Sequence, residues 1–257
     1  MRLVLKFVKS PGNMKKKLAG FILVTLLAGC VKNKQSPGQS EVSVSPADFL
    51  SDSKYKTLYV DLIYDQGNPP SPETVNNLKA FLNNRLNKSG GIQIIQRAFN
   101  GNGKSALSIA DAEDIEKKNR SYFSKGNILG AFVYFANSDY NDNQGNTKVL
   151  GITYASTSIV LFGKTIHSYS GGFGQPSITT LETTVAEHEF GHVMGLVNNG
   201  TSMVKQHMDA GHDKHCSNKA CLMYYSAETS DIVQNILGGV PTLDQDCMDD
   251  LRNNGGK

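Results

Sequence analysis

Long apolar runs are missing from these 257 residues: the candidate span, Leu18 to Leu27, is too short to cross a bilayer as a stable helix. Acidic residues are missing from positions 1–29, which hold six basic ones: Arg2, Lys6, Lys9, Lys15, Lys16 and Lys17. The formal net charge of +3 therefore belongs to this end of the chain. Without it, 20 of the 26 Lys and Arg face 23 Asp and Glu, a balance near −3. No basic footprint for nucleic acid survives that change. Cysteine is scarce, and of the four only Cys216, Cys221 and Cys247 lie beyond position 30. Three is an odd number for a compartment in which thiols pair.

What is present at the start has the order of a secretory signal: Met14-Lys15-Lys16-Lys17, the short apolar run, then small residues. Met14 begins a complete signal by itself, so residues 1–13 read as upstream of the true start. Leu27-Ala28-Gly29-Cys30 resembles the lipobox of bacterial lipoproteins, which implies removal of residues 1–29 and lipid attachment at Cys30. The expected location is the bacterial cell envelope, held to the membrane by an N-terminal lipid anchor. Val31-Lys32 lacks the aspartate linked to inner-membrane retention, which favours the outer membrane. The stretch through residue 54, rich in Ser, Lys, Asn and Gln with Pro37 and Pro46, reads as a flexible tether. Residues 55–257 are the expected folded domain, with structure beginning near Lys56.

Within that domain strands and helices alternate. Thr57 to Tyr64, Ile92 to Gln96 and Ile128 to Phe135 have strand composition, the last buried on both faces. Val75, Leu78, Leu82 and Leu86 recur at helical spacing after Pro72, and a second helix is expected from Ile109 to Phe123. Val149 to Phe162 adds two more β segments, one of them suited to an antiparallel edge strand. Asn137 to Thr147 does not match an EF-hand loop and reads as a solvated hairpin tip. Ser168 to Gln175 reads as a mobile glycine-rich loop. The expected class is α/β, a twisted mixed sheet of about five strands with two packing helices, a site helix and a small irregular C-terminal subdomain.

The chemistry gathers late in the chain. Five of the six histidines, at 188, 192, 207, 212 and 215, fall within 28 residues. His188-Glu189-Phe190-Gly191-His192 is HExxH, and on a helix the i, i+4 histidines share a face and can serve one metal. Glu189 beside them can act as a general base on a water. Thr179-x-x-Glu182 fits a capping box at the start of this helix, and Gly195 fits its end. A catalytic zinc needs a third protein ligand and an open position.

With Gly195 three residues after His192, the sequence resembles the metzincins, whose next ligand falls at a position held here by Asn198, a poor zinc ligand. His215-Cys216-x4-Cys221-x-Met223 resembles the corresponding part of the archaemetzincins. That resemblance implies a zincin fold, Zn2+ held by His188, His192 and His215, an insertion over residues 196–214, and Met223 as the methionine turn. His207 and His212 remain alternatives for the third ligand, either as surface residues or as a secondary site with Asp209 and Asp213. Leu243 to Leu251 resembles the family's terminal CxxC helix with Asp244 in place of the first cysteine. Cys216, Cys221 and Cys247 are expected to form a disulfide, or with Asp244 a second, structural zinc site; the disulfide is preferred. Tyr225, two residues after Met223, matches the place of an oxyanion-stabilising tyrosine in some metzincins, with Tyr224 competing for it.

The implied activity is zinc-dependent hydrolysis of peptide or protein substrates. A non-catalytic envelope lipoprotein is the alternative, and the intact Glu189 argues against it. A gluzincin reading would make Glu228 the third ligand, and Gly195 and Met223 argue against that.

Overall fold

The computed structural model describes residues 43–101 and 103–257; the expected signal segment, the expected lipid attachment at Cys30 and most of the expected tether lie outside them. Structure begins earlier than Lys56. A short helix, α1 (Pro46–Leu50), buries Phe49 and Leu50 completely. Burying two such side chains stabilises the fold by roughly 3–6 kcal/mol, far more than a five-residue helix retains alone. The tether boundary at 54 is therefore corrected: residues 44–54 belong to the domain. Lys88 fastens them, its ammonium donating to the carbonyls of Asp48 at 2.6 Å, Tyr55 at 3.0 Å and Ser51. Lys88→Met should leave three acceptors without their donor and lower stability by about 3 kcal/mol, read as a reduced urea midpoint at unchanged slope.

The sheet follows from the alternation. Strand β1 (Thr57–Asp65) leads through α2 (Pro72–Arg85) to β2 (Ile92–Phe99), and β3 (Ala106–Leu107) leads into α3 (Ile109–Asn119). Then come β4 (Ile128–Ala136), β5 (Asp139–Tyr140), β6 (Gly151–Ala155) and β7 (Ser158–Phe162). The main sheet has the order β2-β1-β4-β7-β6, parallel except for β6, which runs antiparallel to β7 at the edge. An antiparallel edge strand beside the site was expected here, and β6 is that strand.

Period-two alternation sorts β4 into two layers. Leu129, Ala131, Val133 and Phe135 face a core shared with α2 and the later helix; Phe132, Tyr134 and Ala136 face one shared with α3. Helix α3 stops at Asn119 rather than Phe123, because Arg120 turns extended at the cap.

Helix α4 (Gly163–Ser168) follows β7, and α5 (Ile178–Val193) carries the histidine motif; α6 (Gln245–Asn253) ends the fold. The capping box is corrected too. Ser177 is the N-cap of α5, its hydroxyl accepting from the Thr180 amide at 3.0 Å. Glu182 points elsewhere, accepting from Ser71 N, from the Thr74 hydroxyl and from His167 at 2.7–2.8 Å. Residues 137–150 are more than a hairpin tip: β5 pairs with β3, and Val149 bridges to Thr229. Among the described residues, no helix is long and apolar enough to cross a membrane.

Candidate metal centre

Helix α5 is buried on every side from Leu181 to Val193, so its histidines cannot reach bulk water for their hydrogen bonds. Two close approaches set its position. A Cβ on Gly151 of β6 would lie 2.8 Å from Val185 and 2.9 Å from Glu189, and a Cβ on Gly191 would lie 2.1 Å from the Met223 sulfur. The methionine thus fits under the helix only because HExxH carries glycine at its fourth position. The helix ends at Met194, where Gly195 takes a left-handed φ of 79° that favours glycine. Pro46 of α1 closes on that turn, 2.6 Å from where a Gly195 Cβ would stand.

Three imidazoles converge. The Nε2 atoms of His188 and His192 are 3.1 Å apart, and the His215 ring lies 5.4 and 5.0 Å from the other two, centroid to centroid. His188 Nδ1 donates to the Leu222 carbonyl at 2.8 Å, and His215 Nδ1 to the Asp213 carbonyl at 2.9 Å. Those bonds place the proton on Nδ1 and leave each Nε2 lone pair facing the centre. His215 Nε2 is buried without a hydrogen-bond partner. Lone pairs gathered at this distance repel unless a cation sits among them. Glu228 joins the group, its Oε2 3.5 Å from His215 Nε2 and 3.9 Å from His192 Nε2. Such donors, all within 4.8 Å of one another, have the composition of a zinc site.

The protonation states agree with that geometry. Burial lowers His188 to about 4, and burial with its neighbouring imidazoles lowers His192 well below the usual range. Burial, then the charge of Glu228, raises Glu189 to about 8. Glu189 Oε2 accepts from the Thr153 hydroxyl of β6 at 2.8 Å, while Oε1 is buried and unpartnered. For Glu228 burial opposes ionisation, but the neighbouring His215 and His188 imidazoles outweigh it and lower the pKa. Beside His192 a cavity of about 260 Å3 opens along β6, lined by Thr153, Tyr154, Asn199, Lys214 and Pro46.

A second group lies behind the first. His207, Cys216, Asp244 and Cys247 also place ligand atoms within 4.8 Å of one another. His207 Nδ1 is 3.4 Å from Cys216 Sγ, and its Nε2 bonds Asp250 at 2.8 Å. Cys221 Sγ is 3.6 Å from Cys247 Sγ. All three cysteines are unpaired thiols, so the preferred disulfide is not what the structure contains. Burial is the physical reason this cluster needs a partner: three sulfurs, an imidazole and a carboxylate crowd one buried pocket.

The remaining alternatives separate cleanly. Asn198 is exposed with φ 60° and stands outside both groups. His212 is exposed, bonded to Asp209 at 3.0 Å, and stacked on the Tyr225 ring with centroids 3.5 Å apart. Tyr225 therefore lies in an aromatic stack with His212 and Tyr224. Glu228 and His207 are the donors that sequence reasoning placed incompletely. Glu228 is five residues past Met223, and His207 is nine residues before Cys216, yet neither interval is a known ligand spacing.

No protein-family model matches the sequence, and no curated protein matches it. Two solved structures have chains similar to this one. One is the archaemetzincin of Methanopyrus kandleri, 14% identical, covering 77% of this chain and 96% of that one, with a TM-score of 0.49. The other is a zinc-dependent peptidase of Methanocorpusculum labreanum strain Z, 13% identical, covering 75% and 99%, with a TM-score of 0.45. Likeness of this degree transfers no residue role, and the donors above stand on their own geometry.

Proposed function

We propose that this chain is a zinc-dependent metallopeptidase, anchored to the bacterial envelope through Cys30 and hydrolysing peptide bonds in protein or peptide substrates. The observation that carries the reading is the convergence of three imidazoles, two of them anchored through Nδ1, beside Glu189 on the same helix. His188, His192 and His215 would hold a zinc ion, which would supply the Lewis acidity to polarise a scissile carbonyl and acidify a water. Glu189 takes the water's proton and hands it to the leaving amine. The Thr153 hydroxyl holds one Glu189 oxygen, which leaves the other for the proton. Met223 does no acid–base work and supports the floor under Gly191.

Substrate backbone pairs with the outer edge of β6 by strand addition, running past His192 along the cavity. Tyr225 is the candidate donor to the developing oxyanion. The second group suits a structural zinc held by His207, Cys216, Asp244 and Cys247, with the His207 Nε2 bond to Asp250 orienting the ring.

Metal analysis tests both sites together. The purified chain should carry two zinc ions, and a chelator should abolish hydrolysis of a peptide mixture. His207→Ala should remove one zinc and lower thermal stability while peptide hydrolysis persists in the folded fraction. One zinc in the wild type, unaltered in that variant, removes the second site. Absence of zinc-dependent hydrolysis removes the peptidase.

A further inference from the structure

We propose that Glu228 is a fourth protein ligand of the resting centre, which closes the metal site until its carboxylate swings away. This rests on the metal-centre reading above and extends it. Zinc bonds of about 2.0–2.2 Å place tetrahedral donors about 3.3–3.6 Å apart. The separations among these side chains are 3.1 Å between the helix histidines, 3.5 Å from His215 to Glu228, and 3.9 Å from His192 to Glu228. With the remaining pairs inside 4.8 Å, the four donors fit round one ion. Four protein ligands are the pattern of a structural zinc, whereas hydrolysis needs one position open. Glu189 is not among these mutually close donors, and its Oε2 is bound to Thr153 on the neighbouring strand.

The backbone under Glu228 is held from the far side. It ends a 3-10 turn, Tyr225–Glu228. Its carbonyl accepts from Leu150 N at 2.8 Å, Ser230 N donates to the Lys148 carbonyl at 2.8 Å, and Lys148 N donates to the Ser230 hydroxyl at 3.0 Å. The polar loop ahead of β6 thus straps the main chain. The Glu228 side chain is about a third exposed and rotates without unfolding that strap. The device is a fixed backbone carrying one movable carboxylate, and substrate entering along β6 displaces it.

The test compares full-length wild type, Glu228→Gln and Glu228→Ala by zinc competition against a chelator and by cobalt(II) substitution. Each substitution should weaken zinc binding at the histidine site by about tenfold or more. The visible cobalt bands should change as solvent replaces the carboxylate; subtracting variant from wild type cancels the thiolate site. Acetate should restore the wild-type spectrum to Glu228→Ala, which a folding defect would not allow. Turnover at saturating zinc should rise in Glu228→Gln. Zinc affinity and cobalt spectrum equal to wild type overturn the proposal, as does turnover lost to the degree expected without Glu189. The zinc-competition and cobalt readouts need no peptidase activity. Wild type without metal at the histidines sinks the underlying centre, whereas wild type with metal and indifferent variants sinks Glu228 alone.

Discussion

Glu189→Gln should retain both zinc ions and the native melting temperature while peptide hydrolysis falls on the order of a thousandfold, the loss of one general base. The size and shape of the amide are those of the carboxylate, and its carbonyl oxygen can still accept from the Thr153 hydroxyl, now at 2.8 Å from Oε2. What the amide cannot do is receive a proton. Stability should not suffer, since burial and the nearby Glu228 already make the charged carboxylate costly, raising it to about 8. A divalent cation among the histidines pulls that value down again, which makes Glu189 a base only in the loaded protein. The decisive measurement pairs metal content with single-turnover peptide cleavage. Undiminished cleavage at full zinc content would remove Glu189 from the mechanism and leave the three histidines as a binding site.

The parts of this molecule that were readable from sequence are those set by local periodicity. HExxH needs only an α-helix to bring His188 and His192 together, and the five main strands carry their own β-branched and aromatic composition. The burial of the Ile128–Ala136 strand on both faces was legible as well, and it lies between two parallel neighbours. Long-range contacts were not readable. Helix α1 looks like linker in composition, and only its burial against the sheet and the Gly195 turn makes it part of the wall. Ser177 outcompetes Thr179 as cap because Glu182 is drawn away by Ser71, Thr74 and His167, residues that meet it only in the fold. The same holds for the thiols. In an oxidising compartment Cys216, Cys221 and Cys247 suggest a bridge, but His207 and Asp244 arrive beside them from 9 and 28 residues away in sequence from Cys216.

His215→Ala should lower zinc affinity at the catalytic centre by at least about a hundredfold and abolish hydrolysis, leaving the zinc behind it bound. The residue is held for this task at both ends. Its Nδ1 donates to the Asp213 carbonyl, and its backbone lies beside the strand-like bridge from Met208 to Cys216. Its ring stacks parallel to that of His188 with an 11° tilt and meets His192 edge-on, an arrangement that three unconnected core histidines have no reason to adopt. Because His215 Nε2 is buried and unpartnered, its replacement by alanine also removes a polar atom that water does not satisfy. The metal-free variant should therefore be no less stable than metal-free wild type, and the loss should appear only when zinc is present. His212→Ala supplies the contrast. That ring is exposed, stacks on Tyr225 and bonds Asp209, so its loss should leave zinc affinity unchanged. If His212→Ala loses the metal and His215→Ala keeps it, the path of residues 196–214 around the centre is wrong. If both keep it, Glu228 with the two helix histidines is the ligand set, and the centre is built on HExxH and a downstream glutamate instead.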